Sequence, residues 1–298
     1  MSKINATIAA ALAAAAFTFT AAPALAAQCN HKGGFNAFVT DFKKEAAGKG
    51  ISKRGLAALD GVTLDQAVLA ADKRQGVFKQ TFEQFSGRMI SKDRLVKGAR
   101  HMQQSAAMLS RIEKKYGVPG SVVVAIWGLE TDYGVNMGKM SVVRSVATLA
   151  YDCRRTDKFQ AELADALRIV DRGDMASADM KGDWAGEIGQ TQFLPSSYVK
   201  YAVNLDGRGR PDLIRSQSDV LASTANYLKS HGWQRGAGWN PGEPNFEVIK
   251  EWNKADVYAR TIALFAHKLD GDKPSKSAED TAPKKQSPQV ARNKQSRR

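Results

Sequence analysis

A chain of 298 residues with 43% hydrophobic content can bury one substantial core, which excludes an intrinsically disordered protein. A formal net charge of +14 draws it toward polyanions, of which nucleic acid is one class. Four histidines without paired-ligand spacing exclude a zinc enzyme, and there is neither a Gly-rich phosphate loop nor an internal repeat.

Residues 1–26 carry Lys3, an Ala-rich apolar stretch and an Ala24-Leu25-Ala26 cleavage site, the pattern of a secretory signal peptide. Thr18, Thr20 and Pro23 interrupt that stretch, and no later segment is long enough to span a bilayer, so no integral membrane span is expected after cleavage. Gln28 stands before Cys29 where lipidation would call for a small residue. In an oxidising compartment the isolated pair Cys29 and Cys153 is expected to form a disulfide rather than a metal site. For an exported chain the positive charge points to the anionic peptide stems of a cell wall and the acidic envelope surface, not to nucleic acid.

From Phe35 to Tyr116 apolar residues recur at three- and four-residue steps, the period of amphipathic helices. One short helix is expected from Asp65 to Asp72 and a longer one from Lys97 to Lys115, ending at Gly117. Between them KQTFEQFSGRMI reads as extended or irregular, with Phe78, Phe82 and Phe85 assigned to the core. Ser121 to Gly134, SVVVAIWGLETDYG, places one acid, Glu130, at the end of an apolar run. Val122 to Val124 favours a strand. Pro119 at the start, the length of the run and Gly134 at its end favour a helix, on which Glu130 shares a stripe with Val123, Ile126 and Trp127. Apolar surroundings there would raise the pKa of Glu130.

Ser141 to Tyr151 and Phe159 to Val170 read as further helices. Lys181 to Tyr198, KGDWAGEIGQTQFLPSSY, combines glycines with Gln190, Thr191 and Gln192, neutral groups suited to hydroxyls and acetamides. Asn204 to Asp212 has the outline of a calcium loop, but Arg208 and Arg210 stand where oxygen ligands belong, so neither a metal nor a cofactor is expected. Asp219 to His231 reads as a helix, Phe246 to Ile249 as a short strand, and Ala255 to Leu269 as the last helix. Residues 271–298 are rich in Lys, Arg, Ser, Pro and Gln, and read as a disordered basic tail.

Gly128, Glu130, Thr131 and Gly134 resemble the GxE(S/T)xxG signature of lysozyme-like enzymes that cut peptidoglycan. Together with IWGLETDYGVNMGK, KGDWAGEIGQTQFLPSSYVKYAVNLDGRGRPDL and STANYLKSHGW they make residues 116–269 closely similar to the lytic murein transglycosylase B family, with weaker likeness back to Phe35. The resemblance implies a mainly α protein with little β structure. Its lysozyme-like catalytic core would span residues 116–270, behind an N-terminal helical region over residues 27–115. It implies Glu130 as the single catalytic acid, and places Asp183 where the family often has a serine. Gln192 matches a sugar-binding glutamine, Tyr227 an aromatic of the cleft, and Arg154 and Arg155 a basic pair on the peptide-bearing side. Trp252, Asn253 and Tyr258 match a segment that closes over the acid, here without the β-rich lobe that longer relatives insert after His231-Gly232-Trp233.

The implied activity is cleavage of the MurNAc-GlcNAc bond of periplasmic peptidoglycan glycan strands, leaving a 1,6-anhydro end and consuming no water. The chain would act as a monomer, with cell-wall synthesis or secretion machinery as possible partners. The alternatives are a hydrolysing muramidase, in which Asp183 or another carboxylate activates water, and a non-catalytic peptidoglycan-binding protein.

Overall fold

The computed structural model describes residues 27–74 and 80–271; the expected signal peptide, Phe78 and the expected basic tail after Gly271 lie outside the described residues. The chain enters through α1 (Gly34–Gly48), then α2 (Lys53–Leu56), α3 (Gln66–Lys73), α4 (Phe82–Met89), α5 (Lys92–Gln104) and α6 (Ala106–Tyr116). Side-chain caps written into the sequence fix most of these starts. Ser52, Asp65, Thr81 and Ser91 each accept a first-turn N–H, satisfying a donor that the helix itself leaves free.

Gly117 (φ +80°) closes α6, and Pro119 leads directly into α7 (Gly120–Thr131). Two-residue strands β1 (Met140–Ser141) and β2 (Lys181–Gly182) pair antiparallel, with Met140 opposite Gly182. Helices α8 (Val142–Tyr151), α9 (Thr156–Arg172), α10 (Pro195–Tyr201), α11 (Gln217–Ser230), α12 (Pro244–Trp252) and α13 (Asp256–Leu269) complete the chain.

α7 is the axis of the bundle. Every residue of it is buried except Glu130, which stays partly exposed at its C-terminal end. A helix apolar on every face needs neighbours on every face. α13, α5, α11 and α6 supply them, while α8 packs along α9 and α9 along α10. The single stripe expected from Val123, Ile126 and Trp127 is therefore too narrow a description. Cys29 and Cys153 are bonded, tying the first described residues to the turn after α8 across 124 positions of sequence. The Ala27 N–H also donates to Glu45, and its carbonyl accepts from Gln160.

Three expectations are corrected. Residues 82–89 are helical, not extended: Thr81 and Gln84 form a reciprocal capping box, two hydrogen bonds that nucleate α4. Of its aromatic residues, Phe85 is core, whereas Phe82 is partly exposed under the Arg260 guanidinium. The helix expected over 97–115 is two helices with a break at Ser105, whose backbone is non-helical (φ −107°, ψ 16°). Phe246–Ile249 lies within α12, which Pro244 starts at its first turn and which buries Phe246, Val248 and Ile249.

Candidate active site

The end of α7 explains its own sequence. Thr131 Oγ1 donates to the Gln190 carbonyl (2.5 Å) and accepts from the Gly134 N–H (2.9 Å), so one hydroxyl ties the helix end both to its own turn and to the glutamine loop. Asp132, Tyr133 and Gly134 follow in left-handed conformation. At Gly134 (φ +85°) a Cβ would stand 2.6 Å from Gln190 Oε1. That oxygen is itself held by Trp127 Nε1 at 2.9 Å. At Gly128 a Cβ would meet the Tyr133 ring at 2.7 Å. The Gly, Thr and Gly of the motif are thus the residues that let the chain fold back beneath Glu130.

Two donors reach the Glu130 carboxyl, both at Oε1: Trp252 Nε1 at 2.9 Å from the end of α12, and the Tyr258 hydroxyl at 2.8 Å from α13. Both are neutral. Burial pushes the Glu130 pKa up, and the two donors offset that only in part. Tyr258 stays a neutral donor, since burial and the adjacent Glu130 carboxyl push its own pKa well above the usual tyrosine value. With both donors on Oε1, a proton on the acid belongs on Oε2.

Glu130 lines a pocket of about 200 Å³ together with Gln192, Tyr227, Trp252, Asn253 and Glu187. Gln192 sits in left-handed backbone (φ +54°), its amide donating to the Met137 and Gly189 carbonyls. Tyr227 stacks on His231 (4.0 Å), meets Trp252 edge-on (5.0 Å) and donates its hydroxyl to the Glu251 carbonyl; burial pushes its pKa up to about 12. Asn253 Oδ1 accepts the Ala255 N–H, fixing the turn that brings Trp252 and Tyr258 onto the same oxygen. A larger groove of about 430 Å³ lies between α4 and α13, lined by Phe82, Ile90 and Arg260, but its one carboxyl, Glu83, is exposed. The buried acid, Glu130, lines the smaller pocket.

Glu130, Gln192, Tyr227, Trp252, Asn253 and Tyr258 are therefore together. Asp183 is not among the residues lining the pocket; it is exposed, its Oδ1 taken by the Trp184 N–H. Arg154 and Arg155 are also outside it, each giving one Nη to the buried Asp72 carboxylate. Sequence reasoning missed the other two carboxyls of the pocket, Glu251, which pairs with Lys254, and Glu187, whose pKa burial and the neighbouring Glu130 and Asp183 charges push up to about 8. The signal of Glu187 was a lone acid in GEIGQTQ, a stretch otherwise neutral. In the expected calcium-like loop, Asp219 accepts from Asn204, the Leu205 N–H and the Asp212 N–H, and Arg210 pairs with Asp174.

Residues 34–242 match the transglycosylase SLT domain family. The chain belongs to that family. SltB3 from Pseudomonas aeruginosa, solved in complex with NAG-anhNAM-pentapeptide, superimposes with a TM-score of 0.75 at 31% identity over 80% of each chain. The Escherichia coli lytic transglycosylase Slt35, solved in complex with bulgecin A, superimposes with a TM-score of 0.70 at 25% identity, over 78% of this chain and 92% of that one. Membrane-bound lytic murein transglycosylase B of Escherichia coli (strain K12) is 36% identical over 166 residues, 53% of this chain and 46% of that relative. The chain thus matches about half the length of this curated relative. As an SLT-domain chain it has the mainly α, lysozyme-like fold. No helix among the described residues is long and apolar enough to cross a membrane.

Proposed function

We propose that this SLT-domain chain is a peptidoglycan lytic transglycosylase that cuts the β-1,4 bond between MurNAc and GlcNAc and leaves a 1,6-anhydro-MurNAc end. The observation that carries this reading is a raised-pKa acid, Glu130, held on one oxygen by two neutral donors in a pocket of aromatic and amide groups. Likeness to a structure holding NAG-anhNAM-pentapeptide supports the substrate class. In the first step Glu130 gives its proton to the glycosidic oxygen as the bond to C1 breaks, and the substrate's acetamide oxygen takes up the charge at C1. In the second, the Glu130 carboxylate removes the proton of the 6-hydroxyl, whose oxygen bonds to C1 and displaces the acetamide. The acid ends as it began, and no water enters. A group that first donates and then accepts works best with a pKa near the operating pH, the direction in which burial moves Glu130.

Trp252 and Tyr258 hold the acid while it changes charge; Gln192, Tyr227 and Asn253 line the sugar path. Arg154 and Arg155 keep their outer faces exposed beside Asp72, where the carboxylates of peptide stems would meet them. Export to the periplasm and action there on glycan strands belong to the same proposal.

Digestion of purified sacculi by the mature protein tests it: released muropeptides should be one water lighter than hydrolytic products. Reducing muramic ends as the sole product would overturn the transglycosylase step. One observation favours that second reading, hydrolysis: Glu187 offers the second carboxyl such enzymes use, a part that exposed Asp183 is badly placed to play.

A further inference from the structure

Ala27, the first residue after the expected cleavage site, is built into the fold. It is 5% exposed. Its N–H donates to Glu45 Oε2 of α1 (3.0 Å), and its carbonyl accepts from Gln160 Nε2 of α9 (2.6 Å). Just beyond it Cys29 is bonded to Cys153, and the Asn30 N–H donates to the Tyr151 carbonyl (2.9 Å). The Ala27 nitrogen is thus held in place, and it is the atom that cleavage after Ala24-Leu25-Ala26 sets free. We propose that removal of residues 1–26 turns this nitrogen into an α-ammonium that pairs with Glu45 and latches α1 to α9, so that the mature chain is held more firmly than its precursor. The proposal rests on the export part of the reading above.

Glu45 supplies the reason for the charge. It is 7% exposed, and among the described residues its one cation is Lys49, which meets Oε1 at 2.5 Å with a side chain 58% exposed. A pair with so well solvated a lysine is weak. Oε2 faces the Ala27 nitrogen, and a carboxylate drawn out of water gains most from a full positive charge at hydrogen-bond distance. Burial pushes the Glu45 pKa up, but Lys49 and the Ala27 N–H outweigh it and hold the carboxyl below its ordinary range, so an anion stands ready. Glu45 and Gln160, both partners of Ala27, line a pocket of about 380 Å³ between α1 and α9. Its other charged groups are Lys49 and, from α9, Asp157, Asp165 and Arg168, the last two paired. Three carboxylates there share two cations, and an α-ammonium adds the third. The step that makes it is hydrolysis by a signal peptidase. Water's oxygen bonds to the Ala26 carbonyl carbon as the C–N bond breaks, leaving a carboxylate, and both water protons end on the Ala27 nitrogen.

N-terminal sequencing of the exported protein comes first, and it should begin at Ala27. Acetylation of the α-amine at about pH 7, followed by mass spectrometry of the N-terminal peptide, then reads the pair. An ordinary α-amine titrates at about 7.7–8.0, and the Glu45 carboxylate should lift that by about one unit, so the mature protein should react roughly tenfold more slowly than Glu45→Gln. Keeping Ala26 as one extra residue should raise the urea unfolding constant roughly tenfold with the disulfide intact, and should change nothing in the Glu45→Gln background. Equal acetylation rates, or an extension penalty that survives in Glu45→Gln, overturn the proposal. If Glu45→Gln does not fold, a 15N titration of the Ala27 amine in the mature protein decides alone: a midpoint above the ordinary range supports the pair and one within it overturns the pair. A leader that stays attached overturns the export reading and the proposal together. A start at another residue, or a start at Ala27 with an ordinary amine, overturns the proposal alone.

Discussion

Two carboxyls of this protein, each at a helix end, have opposite kinds of partner. Asp72, at the end of α3, meets the guanidinium groups of Arg154 and Arg155; Glu130, at the end of α7, meets an indole N–H and a phenol. Full positive charges fix Asp72 as the anion of a salt bridge that ties α3 to the turn following α8. Neutral donors hold Glu130 in position without supplying the charge that would strip its proton. The partner's charge, more than the depth of burial, separates a carboxylate locked in an ion pair from one that can hold a proton, as the proposed role of Glu130 requires.

The largest effect that would break this contrast is at Glu130 itself. Glu130→Gln should lower turnover on sacculi about 10²- to 10⁴-fold while leaving the fold and sacculus binding intact; unchanged turnover would remove Glu130 from the mechanism. Asp72→Asn should do the reverse. It removes the shared anion of two partly exposed cations, of which Arg154 keeps Asp152, and should cost about 1–3 kcal/mol of stability by urea unfolding, with turnover per folded molecule little changed. A large loss of turnover at full stability would move Asp72 into the site.

Tyr258→Phe sharpens the comparison, because it removes one donor that favours the charged form of Glu130. It should slow turnover roughly tenfold, in line with about 1.5 kcal/mol for a hydrogen bond to a group that becomes charged, and shift the alkaline limb upward. A downward shift would show that the phenol does not act as a donor to the acid.

The smallest effect is on the pH dependence of stability. The folded-state pKa of Glu130 lies above its ordinary value of 4.5, so the folded protein binds the extra proton. Stability should therefore fall as pH rises from the unfolded pKa through the folded one, and that slope should be reduced in Glu130→Gln. Thermal unfolding of the two proteins between pH 5 and about pH 8 measures it. Parallel curves would mean that Glu130 is not buried in the way described.

Much of the site was legible before the fold because its chemistry is concentrated in short, constrained stretches. Gly128, Thr131 and Gly134 are dictated by the backbone under Glu130, so their spacing carries the site with it. Trp252 and Tyr258 were legible through the family resemblance, and the structure adds that both reach one oxygen. The capping box at Thr81 and Gln84 was written in the sequence but hidden by the aromatic residues around it. The break at Ser105 had no glycine or proline to mark it, and Phe246–Ile249 was too short an apolar run to tell strand from helix. Glu187 was passed over because its placement is spatial: nothing local shows that a loop acid will line the same pocket as Glu130. Arg154 and Arg155 show the converse, since a basic pair read as substrate-facing spends part of its charge on a buried partner 82 and 83 positions away in sequence.

The titration of the Glu130 carboxyl is the most direct test. In protein labelled with 13C at the glutamate side-chain carboxyl and assigned by Glu130→Gln, the Glu130 resonance should titrate above the range of the exposed glutamates. A resonance titrating with the surface carboxyls near 4.5 would contradict the account.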